Sequence, residues 1–296
     1  MAVKPAEFEY YRPLTVHEAI SLLRDLGHDA KVLAGGQSLL PLMNFRLARP
    51  SYLVDINWIP ELGTISLEGN KVRIGAMVRH SDLISDPTIR TCLPVLAETA
   101  RYIGHTHIRN RGTFGGSVAH SDAAAELPVA TVALGAQFRV AGPAGERMIP
   151  AEEFFLTYLT TAIQPGELLV ETEIPVPSPK NGYGVREISR RHGDFALVLV
   201  IALIEVSDDD KCKNVRIVIG GVSDTPLRAR QAEAYLLGRP VTEEALAQAA
   251  SLAAEECEPE TDLHATADYR REMVQVLGRK ALEDALATAR GGEKNG

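Results

Sequence analysis

Two rhythms of apolar and polar positions run through the chain. Ala19, Ile20, Leu22, Leu23 and Leu26 recur at helical spacing, which predicts an amphipathic helix. The capping box Thr15-Val16-His17-Glu18 starts it and Gly27 stops it. Residues 31–33 then read as a strand, residues 39–47 as a helical stretch carrying Asn44 and Arg46, and residues 52–56 as a second strand. The outcome is a small β-α-β-like unit. Period-two alternation takes over at residues 64–67 and 71–74, around Glu68-Gly69-Asn70, and predicts a hairpin. Ser81-Asp82 reads as a helix start and residues 94–102 as a helix. A loop follows over residues 104–117, and then a helix reaching Leu134. Residues 137–140 and 147–149 form another hairpin, and residues 167–174 a strand.

The segment Pro175-Val176-Pro177-Ser178-Pro179-Lys180-Asn181-Gly182 is the clearest linker, because stacked prolines deny both helix and ladder donors. The division expected is residues 1–60, 61–176 and 183–290. Beyond the linker, residues 183–188, 195–206 and 215–219 predict one antiparallel sheet, and residues 227–237, 242–256 and 265–289 three helices. The tail 291–296 reads as disordered. The longest apolar run, residues 195–204, is closed by Asp194 and Glu205 and is too short to span a bilayer. It reads as a buried strand.

A net charge of −8 over 296 residues argues against a nucleic-acid or anionic-membrane surface, whose affinity comes from clustered Lys and Arg. Any phosphate must be held locally. Cys92, Cys212 and Cys257 fit neither a zinc or iron–sulfur spacing nor a disulfide framework, which points to a reduced, cytoplasmic setting. Residues 1–13 lack the basic-then-apolar pattern of a signal peptide.

Two glycine loops carry the candidate chemistry. Ala34-Gly35-Gly36-Gln37-Ser38 leaves a strand, and Thr113-Phe114-Gly115-Gly116-Ser117 precedes a helical segment. Hydroxyl residues beside a Gly-Gly pair, with free backbone N–H groups and room for close approach, make an anion cradle. Two cradles imply one ligand with two phosphates, or one long ligand. The bland alternative is that each pair is only a tight turn. A third pair, Gly220-Gly221, has no helix behind it and reads as a strand end or bulge.

Three strings in order carry a family resemblance: Ala34-Gly35-Gly36-Gln37-Ser38-Leu39-Leu40-Pro41, Ile108-Arg109-Asn110-Arg111-Gly112-Thr113-Phe114-Gly115-Gly116-Ser117, and Arg190-Arg191-His192-Gly193-Asp194-Phe195-Ala196. With them the chain, from about Phe8 to about Ala287, resembles the FAD-binding medium subunit of molybdenum hydroxylases of the xanthine dehydrogenase and carbon monoxide dehydrogenase type. The resemblance implies an α+β fold: a two-part FAD-binding domain of the vanillyl-alcohol oxidase (PCMH) type, then a small C-terminal α+β domain with an antiparallel sheet and helices. It implies that Ala34, Gly35, Gly36, Gln37 and Ser38 wrap the FAD pyrophosphate from one side, and Thr113, Phe114, Gly115, Gly116 and Ser117 from the other. Glu126 falls where the family more often has an Asp that binds FAD. Leu168 or Leu169 matches a residue packed near the flavin, Arg186 a common Lys whose charge would bias the flavin potential, and Phe195 a position that can be Tyr.

The same resemblance implies an electron relay, with no catalytic residue of its own. A molybdopterin-type cofactor on a large subunit and two [2Fe-2S] clusters on a small subunit would feed this FAD, in an (αβγ)2 assembly with an external acceptor. The rival is a self-sufficient FAD-dependent reductase or oxidase of the same superfold, and a third class is a nucleotide-binding regulatory module. Lesser candidates have plain alternatives. His105, His107 and His120 read as surface histidines rather than metal ligands, Arg109 and Arg111 as loop arginines or phosphate contacts, and Asp122 as a cap. Tyr102 and Ile103 read as core or flavin border, and Arg190, Arg191 and Asp194 as an ion-pair cluster.

Overall fold

The computed structural model describes residues 4–291; the expectation for the tail after Gly291 lies outside the described residues. The first unit is a three-stranded parallel sheet, β1 (Glu9–Tyr11), β2 (Ala30–Leu33) and β3 (Tyr52–Asp55), in the order β1-β3-β2. Helix α1 (Val16–Leu26) buries Ala19 and Leu23 against it. The Thr15 hydroxyl accepts from Glu18 N at 3.2 Å, while the Glu18 carboxylate reaches one residue further back, to Leu14 N at 2.7 Å. Gly27, at φ 66°, ends the helix. Strand β1 gave no sequence signal, because three residues are too few to show a period. The short α2 (Leu39–Asn44) follows β2.

A five-stranded antiparallel sheet forms the second unit. Its strands are β4 (Ile65–Glu68), β5 (Lys71–Gly75), β6 (Gln137–Gly142), β7 (Gly145–Pro150) and, closing the unit, β10 (Leu168–Pro175), in the order β4-β5-β10-β6-β7. A two-stranded ribbon, β8 (Phe155–Thr157) and β9 (Thr160–Thr161), lies between β7 and β10 in sequence. The long connection from β5 to β6 carries six short helices, α3 (His80–Ser85), α4 (Pro87–Cys92), α5 (Pro94–Thr99), α6 (Thr106–Arg109), α7 (Phe114–His120) and α8 (Glu126–Ala133); α9 (Ala151–Phe154) follows β7. Asp86 caps α4 through Thr88 N and Ile89 N, and the prolines at the starts of α4 and α5 suit first-turn positions that need no N–H.

The C-terminal domain is an antiparallel sheet in the order β11 (Asn181–Ser189), β12 (Ala196–Val206), β13 (Cys212–Gly220) and β14 (Leu227–Arg228), with α10 (Arg230–Leu236), α11 (Glu243–Glu255) and α12 (Ala267–Ala289). The helix expected from residue 227 starts at Arg230, since Leu227 and Arg228 add to the sheet. Strand β12 is apolar on both faces because both are covered. On one side α12 lies so close that a Cβ on Gly182 or Gly184 would fall 1.9 Å from Ala285 O or 2.1 Å from Ala281 O. On the other, Val129 of α8 would be 2.6 Å from a Cβ on Gly220. The largest core therefore runs from the second unit into Val185, Leu199, Ile201 and Val218 of the C-terminal sheet.

Candidate functional site

The chain leaves β2 at Ala34 and must turn at once into α2. Gly36 makes that turn at φ 71°, a conformation without steric cost only for glycine. Leu40 N and Leu42 N close the next turn onto Gly36 O and Ser38 O, both at 3.2 Å. The N–H groups of Gly35, Gly36, Gln37 and Ser38 have no acceptor among the described residues, and Gln37 Nε2 braces the loop through Gly35 O at 3.0 Å. Successive free backbone donors in such a turn form a nest for an oxyanion. A Cβ on Gly35 would lie 2.3 Å from Arg111 O, so the nest packs directly on the second glycine loop.

That second loop differs from expectation. Residues 104–117 are not one loop: α6 interrupts them, and Gly115 and Gly116 lie inside the first turn of α7, which Thr113 caps. Their donors are already spent. Phe114 N binds Val78 O at 2.8 Å, Gly115 N binds Ala76 O at 2.9 Å, Gly116 N binds the Thr113 hydroxyl at 3.1 Å and Ser117 N binds Thr113 O at 3.0 Å. The glycines serve close packing instead, since a Cβ on Gly115 would meet Ala76 Cβ at 2.5 Å. Phe114, expected at the ligand, is fully buried in the main core, because the first turn of α7 points it inward.

Between these loops and the C-terminal domain lies a cleft of about 1890 Å³, above the ~300–1,000 Å³ of a drug-sized ligand site. Ala34, Gly35, Gly36, Gln37, Ser38, Thr113, Gly115, Gly116, Ser117, Glu126, Leu168, Leu169 and Phe195 all line it. Leu168 and Leu169 are buried in its apolar wall at a β-bulge of β10, and Phe195 stands 64% exposed at the start of β12. Lys31, His28 and Ile103 line it as well, Lys31 supplying positive charge and Ile103 apolar surface.

Arg186 does not belong to this group. It projects from the α12 face of β11, where its guanidinium holds Asp284 at 2.6 and 3.0 Å, and it does not line the cleft. The expected bias on a flavin has no geometric basis here, because the charge is engaged by an aspartate that is 1% exposed. Phe114 and Arg186 are thus the two site expectations the structure places elsewhere.

Glu126 opens α8 and is 5% exposed. Burial, reinforced by Asp122, pushes its carboxyl up to about 7. Behind it Glu187 of β11 is pushed up to about 8 by burial and by Glu126, and one of its oxygens is buried without a partner. His80, which sequence reasoning missed, also lines the cleft; burial drives it down to about 4, and its Nε2 lies 2.9 Å from Thr113 O.

The lesser candidates resolve into structural roles. Arg109 binds Ile103 O and Gly104 O, Asp122 accepts from Ala124 N, and Tyr102 donates to Val185 O at 3.4 Å. Arg190 pairs with His264 rather than Asp194, whose backbone N–H turns onto Arg191 O. His105 stacks loosely on His107 and His192. Among the described residues no three His, Cys, Asp or Glu side chains converge as a metal site, and no helix is long and apolar enough to cross a membrane.

The comparisons with known proteins cover nearly the whole chain. Residues 6–177 match the FAD-binding domain found in molybdopterin dehydrogenases, and residues 183–285 the C-terminal domain of the carbon monoxide dehydrogenase flavoprotein. Subunit alpha of the 6-hydroxypseudooxynicotine dehydrogenase complex of Paenarthrobacter nicotinovorans is 41% identical over 97% of each chain. A carbon monoxide dehydrogenase structure from Hydrogenophaga pseudoflava superposes with a TM-score of 0.93 at 42% identity, over 96% of this chain and 98% of the other. Quinoline 2-oxidoreductase from Pseudomonas putida 86 gives 0.91 at 38% identity, over 97% and 99%. The nest sits in a cleft closed by both matched domains, and on these matches the chain belongs to the FAD-binding medium subunits of the molybdenum hydroxylases, the family of carbon monoxide dehydrogenase and xanthine dehydrogenase.

Proposed function

We propose that this chain is the electron-transfer flavoprotein of a heterotrimeric molybdenum hydroxylase. In this reading [2Fe-2S] clusters on a small partner subunit deliver electrons drawn from a molybdenum cofactor on a large one, and FAD on this chain passes them to an external acceptor. The observation that carries the reading is the nest: four adjacent N–H donors without an acceptor among the described residues, opening into a cleft that both domains complete. A hydrogen bond to a charged oxygen contributes roughly 1.5–3 kcal/mol, so four reach much of the about 12 kcal/mol of a nanomolar complex. An acidic chain holds a dianion in this way without a basic surface.

The residues divide the work. Ala34 to Ser38 hold the pyrophosphate, while Thr113, Gly115, Gly116 and Ser117 shape the facing wall, where the backbone N–H groups are engaged and the hydroxyls of Ser117 and Thr113 keep an O–H to donate. Leu168 and Leu169 would give the ring a dry apolar wall, Phe195 would add an aromatic surface at the cleft's exposed edge, and Glu126 offers a carboxyl that exchanges a proton near neutral pH. Bound FAD supplies a centre that accepts electrons singly and releases them in pairs. In this reading the partners form an (αβγ)2 assembly in the cytoplasm, a setting with which the free Cys92, Cys212 and Cys257 accord.

The test is purification from the native source, with an absorption spectrum, iron and molybdenum assays and a count of associated polypeptides. Flavin bands with both metals and two further chains are expected. A single yellow polypeptide without metal would instead make the chain a self-sufficient flavoenzyme.

A further inference from the structure

The nest is held in place by side chains outside it. Ala34 O, at its entrance, accepts from Asn57 Nδ2 at 2.8 Å. Asn57 Oδ1 in turn accepts from Arg79 Nη2 at 2.7 Å, and the other arm of Arg79, Nη1, donates to Arg111 O. Arg111 O is the atom against which Gly35 packs. Each end of this chain is anchored. The Asp55 carboxylate accepts from Asn57 N at 2.9 Å and from the Tyr10 hydroxyl, and Arg79 pairs with Thr113 as an isolated antiparallel bridge, flanked by Phe114 N to Val78 O and His80 N to Gly112 O. Neither Asn57 nor Arg79 lines the cleft.

We propose that Asn57 and Arg79 are positioning residues: a two-link strap that fixes the separation of the Ala34–Ser38 nest and the Arg111–Gly116 wall, and so sets the affinity for the pyrophosphate of FAD. The inference rests on the proposed function. Its physical content is preorganisation, since a donor array held at one spacing loses little on binding, whereas two loops free to part must first be brought together. A guanidinium suits the post because its planar fork reaches two acceptors at once, and an ammonium is a single point charge.

The test is titration of the full-length apoprotein with FAD, followed by flavin fluorescence quenching, in wild type, Asn57→Ala, Arg79→Lys, Arg79→Met and the double variant Asn57→Ala/Arg79→Met. Each single variant, Arg79→Lys included, is expected to weaken binding about tenfold. The double variant should be no weaker than the worse single one, because both break the same strap. Thermal unfolding of the apoproteins tells loss of fold from loss of position, and midpoints close to wild type are expected. Full rescue by Arg79→Lys would mean that charge alone matters, and multiplying losses would mean independent roles; either overturns the strap. Unchanged affinity in all variants, with wild type binding FAD, would overturn it too, whereas failure of wild type to bind FAD would refute the proposed function instead.

Discussion

Glu126→Gln tests the electrostatics of the cleft most directly. Glu126 is 5% exposed, its carboxyl hydrogen-bonds no other side chain among the described residues, and burial pushes it up to about 7 from an ordinary 4.5. A raised acid pKa means that the folded chain keeps a proton the unfolded chain releases. The stability this contributes is complete below pH 4.5 and is lost as pH rises towards 7. At 1.36 kcal/mol per pH unit the loss is about 1 kcal/mol at pH 5 and about 3 kcal/mol at pH 7–8. Glutamine is close to the protonated acid in shape and never ionises, so the variant should match wild type near pH 4.5 and exceed it by up to about 3 kcal/mol at pH 8. Urea unfolding of the apoprotein at several pH values, read through the midpoint at constant slope, measures the difference. A gap that stays the same from pH 5 to pH 8 would refute the reasoning. Because Glu187 titrates beside Glu126, the double variant Glu126→Gln/Glu187→Gln should be less than additive, as the pair shares its protons.

Four further outcomes follow from the same geometry. Gly35→Ala would place a Cβ 2.3 Å from Arg111 O and part the nest from its neighbour, so FAD affinity should fall by at least about a hundredfold, near 3 kcal/mol, in a fluorescence titration. Gly184→Val should cost more than about 3 kcal/mol in urea unfolding, because α12 can yield only by leaving the sheet. Arg186→Ala should cost about 3–5 kcal/mol by stranding the buried Asp284, while the flavin midpoint potential in a reductive titration stays at the wild-type value. His80, held at about 4 against 6.5, contributes stability present above pH 6.5 and lost as pH falls towards 4; His80→Gln should remove about 3 kcal/mol of that acid sensitivity from urea midpoints measured between pH 7 and pH 4.

The fold was legible wherever a period ran long enough. Helix α1, the hairpins of the middle sheet and the apolar β12 all declared themselves, because burial on one face or on two writes directly into the residue pattern. Strand β1 and the broken helices around Asp86 did not, since three to six residues hold less than two periods. The site was legible by composition and misjudged in detail. A Gly-Gly pair signals close approach, but whether the neighbour is a ligand or backbone depends on where the N–H groups go. At Gly36 they are free; at Gly115 and Gly116 other parts of the protein take them. Phe114 and Arg186 were placed by position in a motif, and only strand and helix phase show that they face away. Asn57, Arg79 and His80 carried no local signal, because each acts through a segment distant in sequence.

The N-terminal core has one further consequence, for synthesis. Ala19, Leu23, Val54 and Ile56 pack not only on each other but on Ala141, Leu168 and Val170, and Ala76 N hydrogen-bonds Val170 O. When a ribosome has released residue 60, these partners are still about 80 to 110 residues away, on the order of ten seconds of elongation. During that interval the first parallel sheet has no back wall. The nest must then be among the last parts of the chain to reach its final shape, and cofactor capture becomes a late event that certifies a completed fold.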